Sequence, residues 1–521
     1  MCQGVGVKGR LLVLTDVRRE VLSDAVVLDG RTLTGRTVAG IADGVLAPAA
    51  EAEPAARERV ENAWRAAIRH AATSRVYGRS TGVGANRGVA VGDEGHGLRL
   101  LRSHAGATGR RLPAREVRAM LAVRANQLLA GGAGLRPDVV PALLTALRNG
   151  AHPVVHEHGS VGTGDLAALA QTGLALADEH PWEGNGKPPP PIALDTNDAL
   201  ALISSSALTL GQSALALQEF RRLLDATLSV AALSLLAVGG SWEPYAEAVH
   251  LARPHPGSLA AAARMRALLG APARPAPPAP EARIQDPFGF RCLPQVHGPA
   301  LDAADALDGV LRTDLNAAAE NPLIDAAGAL HHGNFYAGHV THALDGLRPA
   351  VLQTARLSTA RLASLAEPGI TGLRPFLGDE ASASSGVMIL EYAAASALTE
   401  LATLAQPAAL HHAVLSRGAE EQAAFANVAA RQALRMPELH RQVLACELVA
   451  AVRALRQCGT VPDPATPAGR VYELASAVLD PDTTDRPLTG DVAAAAGILD
   501  RLGTVGSGGS PADEDRREER G

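Results

Sequence analysis

Residues 199–236 read ALALISSSALTLGQSALALQEFRRLLDATLSVAALSLL, and this stretch decides the fold. Apolar residues recur there at spacings of three and four, on both sides of a helix, so the helix is expected to be buried on more than one face. Alanine dominates because it has the best helix propensity and lets helix axes approach closely. The same pattern returns over 115–129, 299–311, 339–365, 385–404 and 423–455. Helices of roughly twenty to forty residues are about 30–60 Å long. Strand-like alternation is confined to short pieces near the N-terminus, such as 11–17, and no strand–helix alternation is present to build a parallel sheet. The expected class is all-α, an extended central helical bundle with an irregular, loop-rich N-terminal part.

Breakers divide the chain. KPPPP at 187–191 reads as a surface loop, and APARPAPPAPEAR at 271–283 as a semi-rigid connector. The expected units are an N-terminal domain over 1–198, a long-helix domain over 199–503 and a disordered tail over 504–521, whose end SGGSPADEDRREERG is highly charged. No internal repeat is found.

Composition narrows the function classes. The 521 residues are 47% hydrophobic, 20% charged and 3% aromatic, with 48 Lys plus Arg against 54 Asp plus Glu. A net charge of −6 with sparse aromatics argues against nucleic acid as the main partner. Cys2, Cys292, Cys446 and Cys458 are scattered without CxxC spacing, which builds neither a disulfide framework nor a zinc site. The apolar LLVL at 11–14 is too short for a signal segment, and no charge-free apolar run reaches 18 residues. A cytoplasmic protein without a membrane span is expected.

Three glycine-containing loops interrupt the helices: YGRSTGVGANRG at 77–88, GSVGTGDL at 159–166 and HHGNFYAG at 331–338. The first lacks the GxGxxG spacing of a dinucleotide fingerprint, and the second lacks the lysine of a phosphate loop. Glycine with polar neighbours otherwise suits either plain turns or an active site that needs no nucleotide. His156, His158, His411 and His412 match no metal-ligand spacing and read as structural or surface residues.

The loops have companions in a fixed order: RSHAG at 102–106, QDPFGFRCLPQ at 285–295, ENPL at 320–323 and SGVMI at 385–389. Together they resemble the aromatic amino-acid ammonia-lyase family, which includes histidine, phenylalanine and tyrosine ammonia-lyases and related aminomutases. The resemblance runs from about Tyr77 to about Arg431. It implies an all-α homotetramer whose active sites combine loops from several subunits. It also implies a self-made electrophile, the methylidene-imidazolone (MIO) group, formed from an Ala-Ser-Gly triplet, with no external cofactor and no metal.

The chemistry explains these residue types. Eliminating ammonia from an α-amino acid removes a weakly acidic β-proton, and no ordinary side chain is electrophilic enough to help, so the backbone supplies an electron sink. A base must reach the β-carbon, and a guanidinium suits the substrate carboxylate. By the resemblance, Tyr77 matches the catalytic base, Arg291 the carboxylate-binding arginine and Asn334 the asparagine of the GNF loop. His104 matches a position that helps select a polar ring, and Glu420, in SRGAEEQ, an acidic position of histidine-selective members. Gln285 opens the QDPF segment of the same site. A phenol with a pKa near 10 needs positive potential nearby to act as a base at neutral pH.

The chain departs from the family where the chemistry lies. The family loop reads GSVGASGDLAPL, whereas residues 159–169 read GSVGTGDLAAL, one residue shorter. If the gap falls before the triplet, Gly162, Thr163 and Gly164 stand for Ala-Ser-Gly, and a threonine-derived group would carry an extra methyl. Ser204 replaces the asparagine of LLNGT, Phe288 the tyrosine of QDPY, and Glu391 the glutamine of MIxQ. The expected function is a lyase releasing ammonia from an aromatic L-amino acid, histidine first and tyrosine second. The alternatives are an aminomutase, or a member without MIO that has different chemistry or a binding role.

Overall fold

The computed structural model describes residues 25–92, 95–276 and 283–506. The strand-like 11–17, Cys2, the end of the tail and part of the 271–283 connector lie outside the described residues.

Two long helices, Ala207–Ala237 and Ala426–Gln457, pack against one another at the centre. Around them lie Leu293–Asp314, Gly338–Ala366, Met388–Leu404 and Thr489–Gly506. At 1.5 Å per residue the two central helices are about 45–50 Å long. From Ala207 to Leu217 every residue of the first is buried, as the two-sided apolar pattern requires. The stretch 199–237 is apolar enough to span a bilayer, yet 94% of its most apolar window lies inside the protein, which marks a core helix.

The N-terminal part is made of shorter helices, including His96–His104, Ala114–Ala130 and Leu166–Leu176. Three two-stranded antiparallel ribbons join loops to this scaffold: Thr108–Arg111 with His156–His158, Ala151–Pro153 with Trp182–Gly184, and Leu323–Ile324 with Ala329–Leu330.

Several boundaries differ from the expected ones. The expected helix over 199–236 breaks after Ile203 and restarts at Ala207. The buried guanidinium of Arg124 donates to the Ala201 and Leu202 carbonyls, and the Ser205 hydroxyl accepts from Ala207 N–H, so remote and local side chains take over the ladder bonds. The helix expected from 299 starts at Leu293 and contains Pro299. The one expected from 385 starts at Met388, because the Asp485 carboxylate holds the N–H groups of Ser385 and Gly386. The last described helix runs to Gly506, past the start of the expected tail.

The bundle core contains charge. Arg361 and Glu447, both fully buried, form a two-pronged pair at 2.5 and 2.8 Å, to which Ser234 donates from the neighbouring helix. A buried pair of this kind holds only while every partner is present. Nearby, His297 and His440 are buried with no hydrogen-bond partner on either ring nitrogen among the described residues. Burial, with Arg361 next, depresses them from 6.5 to about 3 and about 4. Such an imidazole binds its proton more weakly folded than unfolded. Its stability contribution is therefore full above 6.5 and is lost as pH falls toward 4. The unfolding free energy from urea titrations is expected to fall between pH 6.5 and 4.5 by up to about 1.4 kcal/mol per pH unit for each histidine. His440→Leu should roughly halve the part of the slope due to the pair; an unchanged slope would remove this account.

Candidate active site

A cavity of about 860 Å³ opens where the irregular N-terminal part meets the bundle. Tyr77, His104, Thr163, Ser204 and Glu420 line it, five of the residues singled out from the sequence. They come from segments far apart in the chain, so the fold assembles the site.

The loop 159–165 reaches it through Thr163. Gly162 and Gly164 adopt φ of +87° and +108°, left to glycine. A Cβ on Gly162 would lie 2.6 Å from the Phe425 nitrogen, so position 162 admits no side chain at all. The Ser160 hydroxyl accepts from Gly162 N–H at 3.2 Å and donates to the Gly164 carbonyl at 3.0 Å, which staples the turn and leaves Thr163 facing the cavity.

Four helix beginnings converge on this loop. Asp165 is the N-cap of Leu166–Leu176. Its carboxylate also accepts from the Thr209 N–H and hydroxyl at 2.8 and 2.9 Å, in the first turn of Ala207–Ala237. The Val161 carbonyl accepts from Phe425 N–H, the N-cap of Ala426–Gln457, at 2.8 Å. The Gly162 carbonyl accepts from Ala337 N–H, the N-cap of Gly338–Ala366, at 3.2 Å. Helix N-termini carry partial positive charge, so they polarise these carbonyls. Burial raises Asp165 above the usual carboxylate range, against the pull of the Thr209 donors.

On the loop opposite, Gly84 N–H donates to the Tyr77 hydroxyl oxygen at 2.7 Å. Tyr77 N–H donates to His331 Nε2 at 3.2 Å. The positive potential that a phenolic base needs comes here from Arg87, but it does not dominate. Burial raises the phenol above its ordinary value and the Glu420 carboxylate adds to that, outweighing Gly84 N–H and Arg87. His104 ends its helix with Nδ1 2.9 Å from the Leu100 carbonyl. The Ser103 hydroxyl lies 3.0 Å from the same nitrogen, so Nδ1 is engaged within its own helix and Nε2 is not.

Ser204, in the helix break, accepts from Asn321 N–H at 3.1 Å through its hydroxyl. The Asn321 carboxamide accepts from His332 N–H at 2.9 Å, which ties the ENPL segment to the HHGNF loop.

Gln285, Phe288, Arg291 and Asn334 are not among the residues lining the cavity. Gln285 and Asn334 are exposed, and Phe288 is 63% exposed with the Arg291 guanidinium 4.4 Å from its ring centre. Conversely, Arg75, Arg87, Asn321, His331 and Ser416 line the cavity without having been singled out from the sequence. Asn321 and His331 lie inside quoted motifs, but no periodicity or spacing marks them. Among the described residues no group of three or more His, Cys, Asp or Glu side chains is placed to hold a metal.

With that geometry in hand, the likenesses are specific. The aromatic amino acid lyase family model matches residues 33–477. A histidine ammonia-lyase of Geobacillus kaustophilus (strain HTA426) is 37% identical over 443 residues, 81% of this chain and 87% of that protein. The crystal structure of ergothionase, the ergothioneine-degrading enzyme of Treponema denticola, matches with a TM-score of 0.85 at 26% identity, over 92% of this chain and 99% of that one. A tyrosine aminomutase from Streptomyces globisporus matches with a TM-score of 0.84 at 25% identity, over 92% and 97%. The chain belongs to the aromatic amino acid lyase family and is a carbon–nitrogen lyase.

Proposed function

We propose that this lyase releases ammonia from an aromatic L-amino acid with a polar ring, histidine first and tyrosine second, leaving the α,β-unsaturated acid. The observation that carries the reading is the shared cavity of Tyr77, His104, Thr163 and Glu420. The Tyr77 oxygen, ionised, takes the β-proton; the C–H electron pair becomes the double bond, and the Cα–N pair leaves with nitrogen. The Glu420 carboxylate is an acceptor for a ring N–H, which an imidazole supplies and a phenyl does not, and the His104 imidazole is a second polar partner in the same cavity.

An MIO-like group from Gly162, Thr163 and Gly164 would supply the electron sink. The residues fit it: no side chain flanks Thr163, and Ala337 N–H polarises the carbonyl that the Gly164 nitrogen would attack. Gln285, Phe288, Arg291 and Asn334 complete the site of another copy in a homotetramer; their place outside their own chain's cavity supports this.

A second reading is favoured by the crowding at Gly162: a loop that tolerates no alanine there works without the internal group and runs different chemistry. The ergothioneine-degrading enzyme that shares this fold is one precedent for a different substrate.

Mass spectrometry of the 159–169 peptide separates the two. Loss of two waters, with ammonia released from L-histidine, is the expected result; an unmodified peptide with no ammonia from any aromatic amino acid would end the first reading. Tyr77→Phe should lower turnover by about a thousandfold or more while the fold persists. Since the Glu420 charge holds Tyr77 up, Glu420→Gln should move the alkaline-rising limb of the pH–rate profile to lower pH. Gly162→Ala should cost about 1–3 kcal/mol of stability or more, from its backbone angle and the 2.6 Å clash, whereas Thr163→Ser should leave the melting temperature almost unchanged.

A further inference from the structure

The Tyr77 oxygen is held by Gly84 N–H, at the start of the short turn Gly84–Asn86, where the Gly84 carbonyl also accepts from Arg87 N–H at 3.1 Å. Two side chains steady that turn. The Ser416 hydroxyl, from the segment that carries Glu420, accepts from Ala85 N–H at 2.9 Å. Arg87 donates from Nη1 to the Gly84 carbonyl at 3.3 Å. Arg87 therefore grips the carbonyl of the residue whose N–H grips Tyr77, and both side chains line the same cavity. Its guanidinium carries a permanent positive charge that the fold uses in no ion pair among the described residues.

We propose that Arg87 is a positioning residue for Tyr77: it holds Gly84 so that its N–H meets the Tyr77 oxygen, and it sets a positive charge beside that oxygen when the phenol ionises. The charged and titratable groups that share this wall are Arg75, Arg87, His104, His331, His332 and Glu420. Glu420 acts on Tyr77 in the opposite sense, and burial opposes ionisation throughout. Arg87 and Glu420 thus form an opposed pair, one favouring the phenolate and one the phenol. For turnover the inference rests on the reading of Tyr77 as the base; for the ionisation itself it does not.

Rapid pH-jump absorbance of tyrosinate tests this directly on the full-length protein. The chain has five tyrosines, so subtracting the signal of Tyr77→Phe isolates Tyr77. Arg87→Gln is expected to raise the Tyr77 midpoint by about half to one pH unit, the size of one partly screened charge nearby. Arg87→Lys keeps the charge and should recover at least half of that shift, and it separates a lost charge from a disordered loop. A midpoint that stays within about 0.2 units in Arg87→Gln, or falls, overturns the proposal; so does Arg87→Lys behaving as Arg87→Gln. Turnover is read separately. A shifted midpoint in a protein that releases no ammonia leaves Arg87 in this role and retires Tyr77 as base. An unshifted midpoint with brisk turnover does the reverse.

Discussion

Four helices begin at one loop, and the structure depends on that convergence. The first N–H groups of any helix have no partner within it and must find acceptors elsewhere. Here the acceptors for three helix starts are the Val161 carbonyl, the Gly162 carbonyl and the Asp165 carboxylate, while a fourth helix starts from the Asp165 backbone, with no bond from its carboxylate. The loop that would carry the electron sink is thus also the piece that aligns the central helices. A change that loosens it disturbs bundle packing, and a change in the bundle reaches the cavity. The partial positive ends of the helices act on the same carbonyls, so scaffold and electrostatics come from one arrangement.

The segment beside that loop is built by interruption, with Asp165 N–H donating to the Ser205 carbonyl at 2.7 Å. A continuous helix over 199–236 would bury Ser204 in a regular turn. Arg124, paired with Glu320 at 2.6 Å in the core, draws the Ala201 and Leu202 carbonyls away and opens the turn. Ser204 then meets Asn321, and Asn321 holds the HHGNF loop. A buried arginine is stable there because its nitrogens find a carboxylate and two carbonyls, the condition under which a buried charge is tolerated.

This is why the fold was legible in the sequence and the site only in part. Periodicity is a local property, and it located 339–365 and 115–129 to within a residue of the helices Gly338–Ala366 and Ala114–Ala130. It failed at Ser204 and Ser385, where the decisive partners, Arg124 and Asp485, are remote in sequence. The ordered motifs brought Tyr77, His104, Thr163, Ser204 and Glu420 to one cavity. They could not show that Phe288 and Arg291 lie outside that cavity, since a motif records residue types and not where the fold puts them. Nor could they find Arg87, whose role comes from a carbonyl three residues before it.

The family's GSVGASGDL has a glycine before its triplet, and this chain has one residue fewer. Gly162 has no room for a Cβ, because the Phe425 and Ala426 nitrogens stand 2.6 and 2.7 Å from where that atom would be. It packs under the start of the Ala426–Gln457 helix. One glycine must then serve two ends, to pack against that helix and to offer its carbonyl to the Gly164 nitrogen. The first demand fixes its backbone through Phe425, and the second needs that backbone to move. Ring formation at Thr163, as proposed above, would need the N-terminus of that helix to yield, because its Phe425 nitrogen closes the space beside Gly162.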